Sequence, residues 1–417
     1  MISSHKLAVT TKRVFGATSY AVTVRLGLKD ANGNPLTLSQ DLTSYSGLPD
    51  GDQSPFIFDL KQLNVPRFTK NQRFSVTAEV IKDSSGYVRD AKDMIIWLPV
   101  VLVPGINGAA DLIQGKNVDH PSGGDGTFPS MEAYLKQSSQ NYLHDNNCLG
   151  ESYYLYQDPA VSPHDYPTLF TLPYDRDNAS FADGADKLSG FINLSLLLTY
   201  AAKVEIATHS KGGLVARAYL EYQDDTSNHT AMPPASAALV NRLIMTVPPN
   251  TGSLWAKLDV VGFGYIDFSN LYPTWPYLRQ FPLQKYIYPG LPNQQLLALN
   301  AEDMYLPKTV NYTIVFSDKY PTPETITVKP LLLKRVPPYI GLTVGDSVVP
   351  FYSQEGFLYS PNDAAGPSVM IHPFRDILIN HVDIPGFHTS VPGLQSVSYL
   401  ELPDVENEVF AEIKTDF

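Results

Sequence analysis

Apolar and polar residues alternate along the first part of the chain. The segment SYAVTVRLGL places Tyr20, Val22, Val24 and Leu26 on one face, and the segment RFSVTAEVI repeats this pattern. Alternation with a period of two is typical of strands that bury one face. Turn-forming residues follow the two segments, in KDANGNP and in KDSSG. Because no helical pattern interrupts them, we predict an all-β domain over residues 1–94.

The rhythm of strands and turns in residues 1–94 resembles bacterial immunoglobulin-like modules, which are small β-sandwiches. We therefore expect an immunoglobulin-like β-sandwich in this region. No residue pattern there indicates chemistry, which favours a packing or spacer role. A module that binds a substrate or a surface is the alternative.

The pattern changes at about residue 95. The segment IIWLPVVLVPG (95–105) is apolar throughout, which predicts one strand buried on both faces in a parallel sheet. Helical and strand patterns then alternate, which predicts an α/β domain over residues 95–417, with helices on both faces of a mostly parallel sheet. The predicted helices are SMEAYLKQSSQNYL, ADKLSGFINLSLLLTYAA, GLVARAYLEYQ and DVENEVFAEI, and the predicted strands are SYYLYQ, KVEIAT, RLIMTV and VNYTIVFS.

Composition narrows the range of partners and locations. A net charge of -12 disfavours nucleic acid and anionic membranes as partners. The one cysteine, Cys148, excludes an intrachain disulfide and a cysteine metal cluster. No apolar run is long enough for a membrane span, and the first residues lack the apolar core of a signal peptide. Only 17% of residues are charged and 34 are prolines, which favours a secreted or cell-envelope protein with its leader absent over a cytoplasmic one.

Ser210 lies between the predicted strand KVEIA and the predicted helix GLVARAYLEY. Such a turn exposes a serine hydroxyl at a helix N-terminus, where the next backbone N–H, that of Lys211, can donate to an oxyanion. The turn needs small residues two positions before and after the serine. Gly212 fits this requirement, whereas Thr208 is bulkier than the glycine usual at its position. The pattern predicts a nucleophile elbow with Ser210 as the nucleophile.

A serine nucleophile requires an acid and a histidine base, which come later in the chain in this kind of elbow. His388 lies in a Gly/Pro-rich loop before the last predicted helix and is favoured over His381. Asp346, in TVGDSVVPFYS, is the candidate acid, and Asp318 at the end of a predicted strand is its competitor. A second oxyanion donor is expected from VVLVPGINGA, where Ile106 would offer its N–H.

Together these segments resemble the lipase branch of the α/β-hydrolases, nearest the lecithin–cholesterol acyltransferase-like group. The resemblance covers about residues 95–417 and implies an α/β-hydrolase fold, with no cofactor and no metal. The match to the family's acid motif selects Asp346 over Asp318. Thr208 and Ile106 depart from the pattern. The matching segments are LVPGING, LPYDRD, HSKGG, VPPNTGS and GDSVVP.

Aromatic residues and prolines are frequent between about residues 250 and 300. In the family this insertion forms a cap, or lid, whose apolar side chains line an acyl pocket and exclude water. The candidate pocket residues are Trp255, Tyr265, Trp275 and Tyr277.

The resemblance implies a lipase or carboxylesterase that cleaves carboxylic esters through an acyl-enzyme on Ser210. Its expected substrate is an ester or lipid small molecule, with transient contact to a lipid interface. A phospholipase, an acyltransferase or an amidase could use the same triad, since these enzymes differ in the bond cleaved or the acceptor. A catalytically inactive hydrolase fold used for binding is the remaining alternative. The acyl chain length and the oligomeric state are left open.

Overall fold

The first described strands form two antiparallel sheets. In the larger sheet, residues 35–41, 20–29, 72–82 and 86–96 form four neighbouring strands in that order, and the second and third contain the two alternating segments. Val24 and Phe74, two of the residues predicted to face inward, are buried. It stays a prediction that these two sheets form an immunoglobulin-like sandwich. The strands are β1 (Lys6–Val9), β2 (Tyr20–Lys29), β3 (Pro35–Asp41), β4 (Phe56–Asp59), which pairs with β1, β5 (Gln72–Lys82) and β6 (Gly86–Ile96).

The computed structural model of the 417-residue chain describes residues 6–9, 20–41, 56–82, 86–105, 131, 134–135, 169–172, 180–221, 235–252, 257–260, 264–267, 294–301, 307, 309–317, 369–374 and 403–414.

A third sheet contains six strands in the order β14-β13-β10-β9-β7-β8. Every pairing in it is parallel, so the described part of the chain has the α/β architecture that the sequence predicted. β9 lies inside the sheet between β7 and β10, and all six of its residues are buried. The strands are β7 (Val100–Val103), β8 (Leu169–Thr171), β9 (Val204–His209), β10 (Val240–Thr246), β13 (Asn311–Ser317) and β14 (Val369–Phe374).

Helices cover both faces of this sheet. Alternate residues of β7 point to opposite faces, so that Val101 joins one apolar cluster and Val100 joins another. The first cluster contains residues of α1, α2 and α4, and the second contains residues of α5. The helices are α1 (Phe181–Thr199), α2 (Lys211–Glu221), α3 (Ala235–Ala238), α4 (Gln294–Ala301) and α5 (Pro403–Ile413), and a hairpin of β11 (Lys257–Val260) and β12 (Gly264–Asp267) precedes α4.

Local sequence explains the position of α1. The Ser180 side chain accepts a hydrogen bond from the N–H of Asp183 at 3.0 Å, which caps the helix N-terminus. A β-carbon at Gly184 would lie 2.8 Å from Val215 Cγ2, so this glycine allows α1 to approach α2 closely. Tyr200 follows the helix with a φ of 56°, a left-handed conformation that ends it.

One predicted strand differs from the structure, and two strands of the parallel sheet were not predicted. The single strand predicted over 95–105 is wrong, because β6 ends at Ile96 and β7 begins at Val100. Pro99, which lacks a backbone N–H, separates them, and the chain passes there from the antiparallel to the parallel sheet. β8 and β14 were not predicted, since β8 has three residues and β14 contains Pro373. The strand predicted at SYYLYQ lies outside the described residues.

The antiparallel sheet is joined to the parallel sheet through a buried contact. The Asn71 side chain accepts a hydrogen bond from the N–H of Leu98 at 2.6 Å and donates one to the carbonyl of Ile413 at 2.6 Å. Asn71 also donates to Glu205 Oε1 at 3.3 Å. The first apolar cluster extends from the antiparallel strands into β7 and β9. The two parts of the chain therefore share one core.

Candidate active site

Ser210 occupies a turn between β9, which ends at His209, and α2, which begins at Lys211. Its φ is 52°, in the left-handed region that non-glycine residues rarely adopt. Two backbone hydrogen bonds hold the turn: Ser210 N donates to the carbonyl of Thr246 at 3.0 Å, and Gly213 N donates to the carbonyl of Ser210 at 3.0 Å. The strand, sharp turn and helix predicted around Ser210 are therefore present. Strain of this kind is concentrated at functional sites.

Gly212 and Gly105 bring β7 against this turn. A β-carbon at Gly212 would lie 2.1 Å from the backbone oxygen of Val103, which no side chain could tolerate. A β-carbon at Gly105 would lie 2.9 Å from Ser210 Cβ. The chain leaving β7 thus passes directly beside the serine side chain, at the carboxyl edge of the parallel sheet where binding sites of this fold class lie.

Thr208 fits in the turn because a second glycine leaves room for it. A β-carbon at Gly213 would lie 3.3 Å from Thr208 Oγ1 and 2.9 Å from Pro248 Cβ. Within the described residues Thr208 Oγ1 is buried with no hydrogen-bond partner, and the carbonyl of Thr208 accepts a hydrogen bond from Thr246 Oγ1 at 2.6 Å. The departure from glycine at position 208 is therefore compatible with the elbow.

Lys211 is the first residue of α2 and is buried. The first N–H groups of a helix have no partner within the helix, and the helix dipole makes this end favourable for negative charge. An anion that develops next to Ser210 would meet this helix terminus. The N–H of Lys211 is thus in a suitable element to donate to an oxyanion.

Most of the other predicted site residues lie outside the described residues. This holds for Ile106 and for the predicted acid and base, Asp346 and His388, as well as for their competitors Asp318 and His381. Tyr265 lies in β12, where it pairs with Asp259 across the hairpin. The structure therefore brings together Ser210, Lys211 and the glycine that precedes Ile106. The predicted pocket residues outside the description are Trp255, Trp275 and Tyr277.

A buried ion pair near the site was missed by sequence reasoning. Arg217 and Glu221, both in α2, form a salt bridge at 2.9 Å in which both side chains are fully buried. Their spacing of four positions on an otherwise apolar helix was the available signal. Burial raises the pKa of Tyr312, the nearby Glu221 carboxylate raises it further, and Arg217 opposes both effects. Burial also raises the pKa of Tyr219.

Neither a metal site nor a membrane-spanning helix occurs in the part of the chain that the structure describes. No group of three His, Cys, Asp or Glu side chains there could hold a metal ion. No described helix is both long and apolar enough to cross a bilayer.

Comparison with known proteins finds distant structural likenesses. No protein-family model and no curated protein matches the chain. The lin2722 gene product of Listeria innocua matches with a TM-score of 0.40 and 11% identity, covering 76% of this chain and 94% of that one. Lipase BlEst2 of Bacillus licheniformis, in its mature form, matches with a TM-score of 0.34 and 12% identity, covering 67% and 85%.

A third similar structure is phospholipase PlaB of Legionella pneumophila, in complex with thio-NAD. It has a TM-score of 0.37 and 16% identity, and the match covers 62% of this chain and 44% of that one. Likenesses at this level carry no argument about activity. The function proposed below depends on the local geometry around Ser210 and on the sequence motifs.

Proposed function

We propose that the protein is a serine hydrolase that cleaves carboxylic esters, a lipase or carboxylesterase. The observation that carries this proposal is Ser210, held at a φ of 52° between a buried central strand and the N-terminus of a helix. Tyr200 has a similar φ at the end of a helix, so the support comes from the combination of the strained turn, the buried strand before it and the helix start after it. The close approach of Gly105 to the serine supports the same interpretation, because it brings a second backbone segment to the hydroxyl.

The proposed reaction proceeds through two tetrahedral intermediates. Ser210 Oγ attacks the acyl carbonyl carbon while His388 takes the hydroxyl proton, and Asp346 orients His388 and stabilises its imidazolium form. The negative charge on the carbonyl oxygen is stabilised by the N–H groups of Lys211 and Ile106. His388 then protonates the leaving alcohol, and an acyl-enzyme ester remains on Ser210. A water molecule, deprotonated by His388, attacks this ester, and the second intermediate breaks its bond to Ser210 Oγ as His388 returns the proton to that oxygen and the carboxylic acid leaves.

A cap over the serine is the second part of the proposal. The chain leaves the sheet after β10, which neighbours the serine strand β9, and returns to the core in α4, where Leu296 and Leu299 are buried. A segment inserted at this edge could cover the nucleophile and provide the apolar lining that an acyl chain requires. We propose Trp255, Tyr265, Trp275 and Tyr277 as lining residues, and lipid or other ester molecules as substrates. A secreted or cell-envelope location is proposed on composition.

A panel of p-nitrophenyl esters from acetyl to palmitoyl tests the proposal. We expect hydrolysis by the parent and a loss of about 10⁴-fold or more in Ser210→Ala, since removing the nucleophile of a triad has effects of this order. Ser39→Ala, an exposed position in the antiparallel sheet, is the matched control and should keep the activity of the parent. Equal activity in Ser210→Ala and the parent would contradict the assignment.

Added alcohols, anilides and phospholipids, assayed beside these esters, separate the alternative functions. Product esters formed when an alcohol is added would identify an acyltransferase, and cleavage of anilides or phospholipids would identify an amidase or a phospholipase, each with the same serine. A binding protein with an inactive hydrolase fold would turn over none of these substrates.

A further inference from the structure

The guanidinium of Arg217 has an acceptor for each of its five N–H groups. Nε and Nη2 donate to the two carboxylate oxygens of Glu221 at 2.9 and 3.0 Å. Nη1 donates to Asn250 Oδ1 at 3.0 Å and to Asn300 Oδ1 at 3.1 Å, and Nη2 also donates to the carbonyl of Leu299 at 3.4 Å. The bonds to Glu221 stay within α2. The other three reach two distant parts of the sequence.

These two parts are the ends of one long segment. Asn250 follows β10 in the turn where the segment leaves the sheet, and Asn300 lies in α4 where the segment returns. The Asn300 side chain also donates to the backbone oxygen of Asn250 at 2.9 Å. The segment between the two asparagines therefore leaves and returns at one point, and Arg217 binds both of its ends.

The same helix presents the nucleophile. Arg217 follows Ser210 by seven positions, about two turns or ~10 Å along the axis of α2. The helix start is also tightly packed on the residues that lead into the segment, because a β-carbon at Gly213 would lie 2.9 Å from Pro248 Cβ. The ends of the segment are thus positioned relative to the helix that carries Ser210.

We propose that Arg217 is a positioning residue that fixes the ends of the segment between Asn250 and Asn300 relative to Ser210, and thereby sets the preference for acyl chains. This proposal rests on the proposed ester hydrolysis for its substrate part only. Replacing Arg217 itself would leave the buried Glu221 carboxylate without its charged partner and destabilise the whole protein. Asn300 is the better position to change, because the Arg217–Glu221 pair remains complete without it.

The test compares Asn300→Ala with Asn241→Ala, a partly buried asparagine whose side chain donates to Glu205 at the opposite edge of the sheet. The first measurement is limited proteolysis of the full chain, with cut sites identified by fragment mass. We expect Asn300→Ala to be cleaved between residues 252 and 294 roughly fivefold faster than the parent, a change of the size expected for a lost hydrogen bond. Asn241→Ala should show the parent's rate of cleavage in this segment.

The second measurement is the ratio of kcat/KM for octanoyl and acetyl p-nitrophenyl esters. Asn300→Ala should lower this ratio roughly fivefold, through a higher KM for the octanoyl ester, while the rate of labelling by a small fluorophosphonate stays within about twofold of the parent. Asn300→Asp keeps an acceptor for Arg217 but loses the donor to the backbone oxygen of Asn250, so it should restore the ratio and the resistance to protease in part.

Cleavage rates and ester ratios in Asn300→Ala that match those of Asn241→Ala would overturn the proposal. If the parent hydrolyses no ester, the proposed function fails, whereas the proteolysis result still decides whether Arg217 and Asn300 fix the segment. The two failures are therefore distinguishable.

Discussion

The two edges of the parallel sheet both contain buried polar side chains, but they use them differently. At the carboxyl edge, Ser210 and Val247 follow adjacent strands with φ values of 52° and 44°, and glycines are required where the backbone segments meet. At the amino edge the described strand starts show no positive φ, and polar side chains pair with one another and with backbone groups. Among the described ends of the parallel strands, a positive φ therefore occurs only at the edge where the serine is presented.

The amino edge is a structural joint. Glu205 Oε1 accepts hydrogen bonds from Asn71 and Asn241, and Glu412 of α5 pairs with Arg242. Thr313 Oγ1 also donates to Glu412 at 2.9 Å. These contacts bind the antiparallel sheet and the last helix to the starts of the central strands. We therefore expect substitutions at the amino edge to change the stability of the fold alone, whereas substitutions at the carboxyl edge should change the rate of ester hydrolysis.

Gly212→Ala should have the largest effect, because its β-carbon would lie 2.1 Å from the backbone oxygen of Val103. We expect a loss of about 3 kcal/mol in the free energy of unfolding, and loss of measurable ester hydrolysis, since neither backbone segment can move without displacing Ser210. Urea denaturation and a p-nitrophenyl ester assay measure the two effects.

Gly190→Ala is the matched control for this substitution. Gly190 lies in α1 and a β-carbon there would meet no atom within 4 Å. This change should stabilise the protein by about 0.5–1 kcal/mol, because alanine is the better helix former. A Gly212→Ala variant as stable and active as the parent would show that the turn is not built as described.

Asn71→Ala should remove the hydrogen bonds that connect the antiparallel sheet to the parallel sheet, and should lower stability without lowering kcat. The substitution removes the partners of Leu98 N and the Ile413 carbonyl, two buried groups, at a cost of about 2–4 kcal/mol in the free energy of unfolding. The kcat of the folded fraction should equal that of the parent, which urea denaturation together with active-site titration can establish. A fall in kcat at unchanged stability would contradict the separation of the two edges.

Gly105→Ala should have the converse effect. Its β-carbon would lie 2.9 Å from Ser210 Cβ and 3.2 Å from His209 Nδ1, so the nucleophile has to shift to accommodate it. We expect a loss of roughly 10- to 100-fold in kcat/KM for p-nitrophenyl butyrate, with only about 1 kcal/mol lost in stability. Unchanged kinetics would argue that the segment after β7 has no part in the site.

The smallest expected effect is a pH dependence of the free energy of unfolding that comes from two buried tyrosines. Burial raises the pKa of Tyr219 and Tyr312 above the ordinary value of 10.0. Below pH 10 both states hold the phenolic protons and these groups contribute nothing to pH dependence. Above it the unfolded chain loses protons that the folded protein keeps, so the free energy of unfolding falls as pH rises, by at most about 1.4 kcal/mol per pH unit for each tyrosine.

Tyrosinate absorbance measured alongside circular dichroism checks this expectation. Tyr219 and Tyr312 should ionise only when the protein unfolds. Ionisation of all 25 tyrosines in a protein that remains folded would be inconsistent with their burial.

Sequence patterns predicted the elements that carry the candidate site. β9, α2 and β10 have strong apolar periodicity, and the structure places them where the motifs HSKGG and VPPNTGS required. β8 could not be found this way, because three residues carry no readable period. The break at Pro99 was missed for a related reason: two buried strands in succession have the same continuous apolar sequence as one longer strand.

Contacts between residues that are distant in the sequence could not be predicted from the sequence. The space for Thr208 depends on Gly213, one helical turn away in the chain, and only the packed turn shows that the two residues meet. Arg217 and Asn71 bind partners far away along the chain, and no local pattern encodes such pairs. The assignments of Asp346 and His388 stay predictions from motif and order in the chain.

Covalent labelling tests the central claim most directly. The purified protein would be treated with a fluorophosphonate, and the modified peptide identified by mass spectrometry. We predict a single phosphonyl group per chain on Ser210, with none incorporated by Ser210→Ala or by the unfolded parent, because only the folded site activates this hydroxyl. Absence of labelling in the folded parent, or labelling at another residue that persists in Ser210→Ala, would contradict the account.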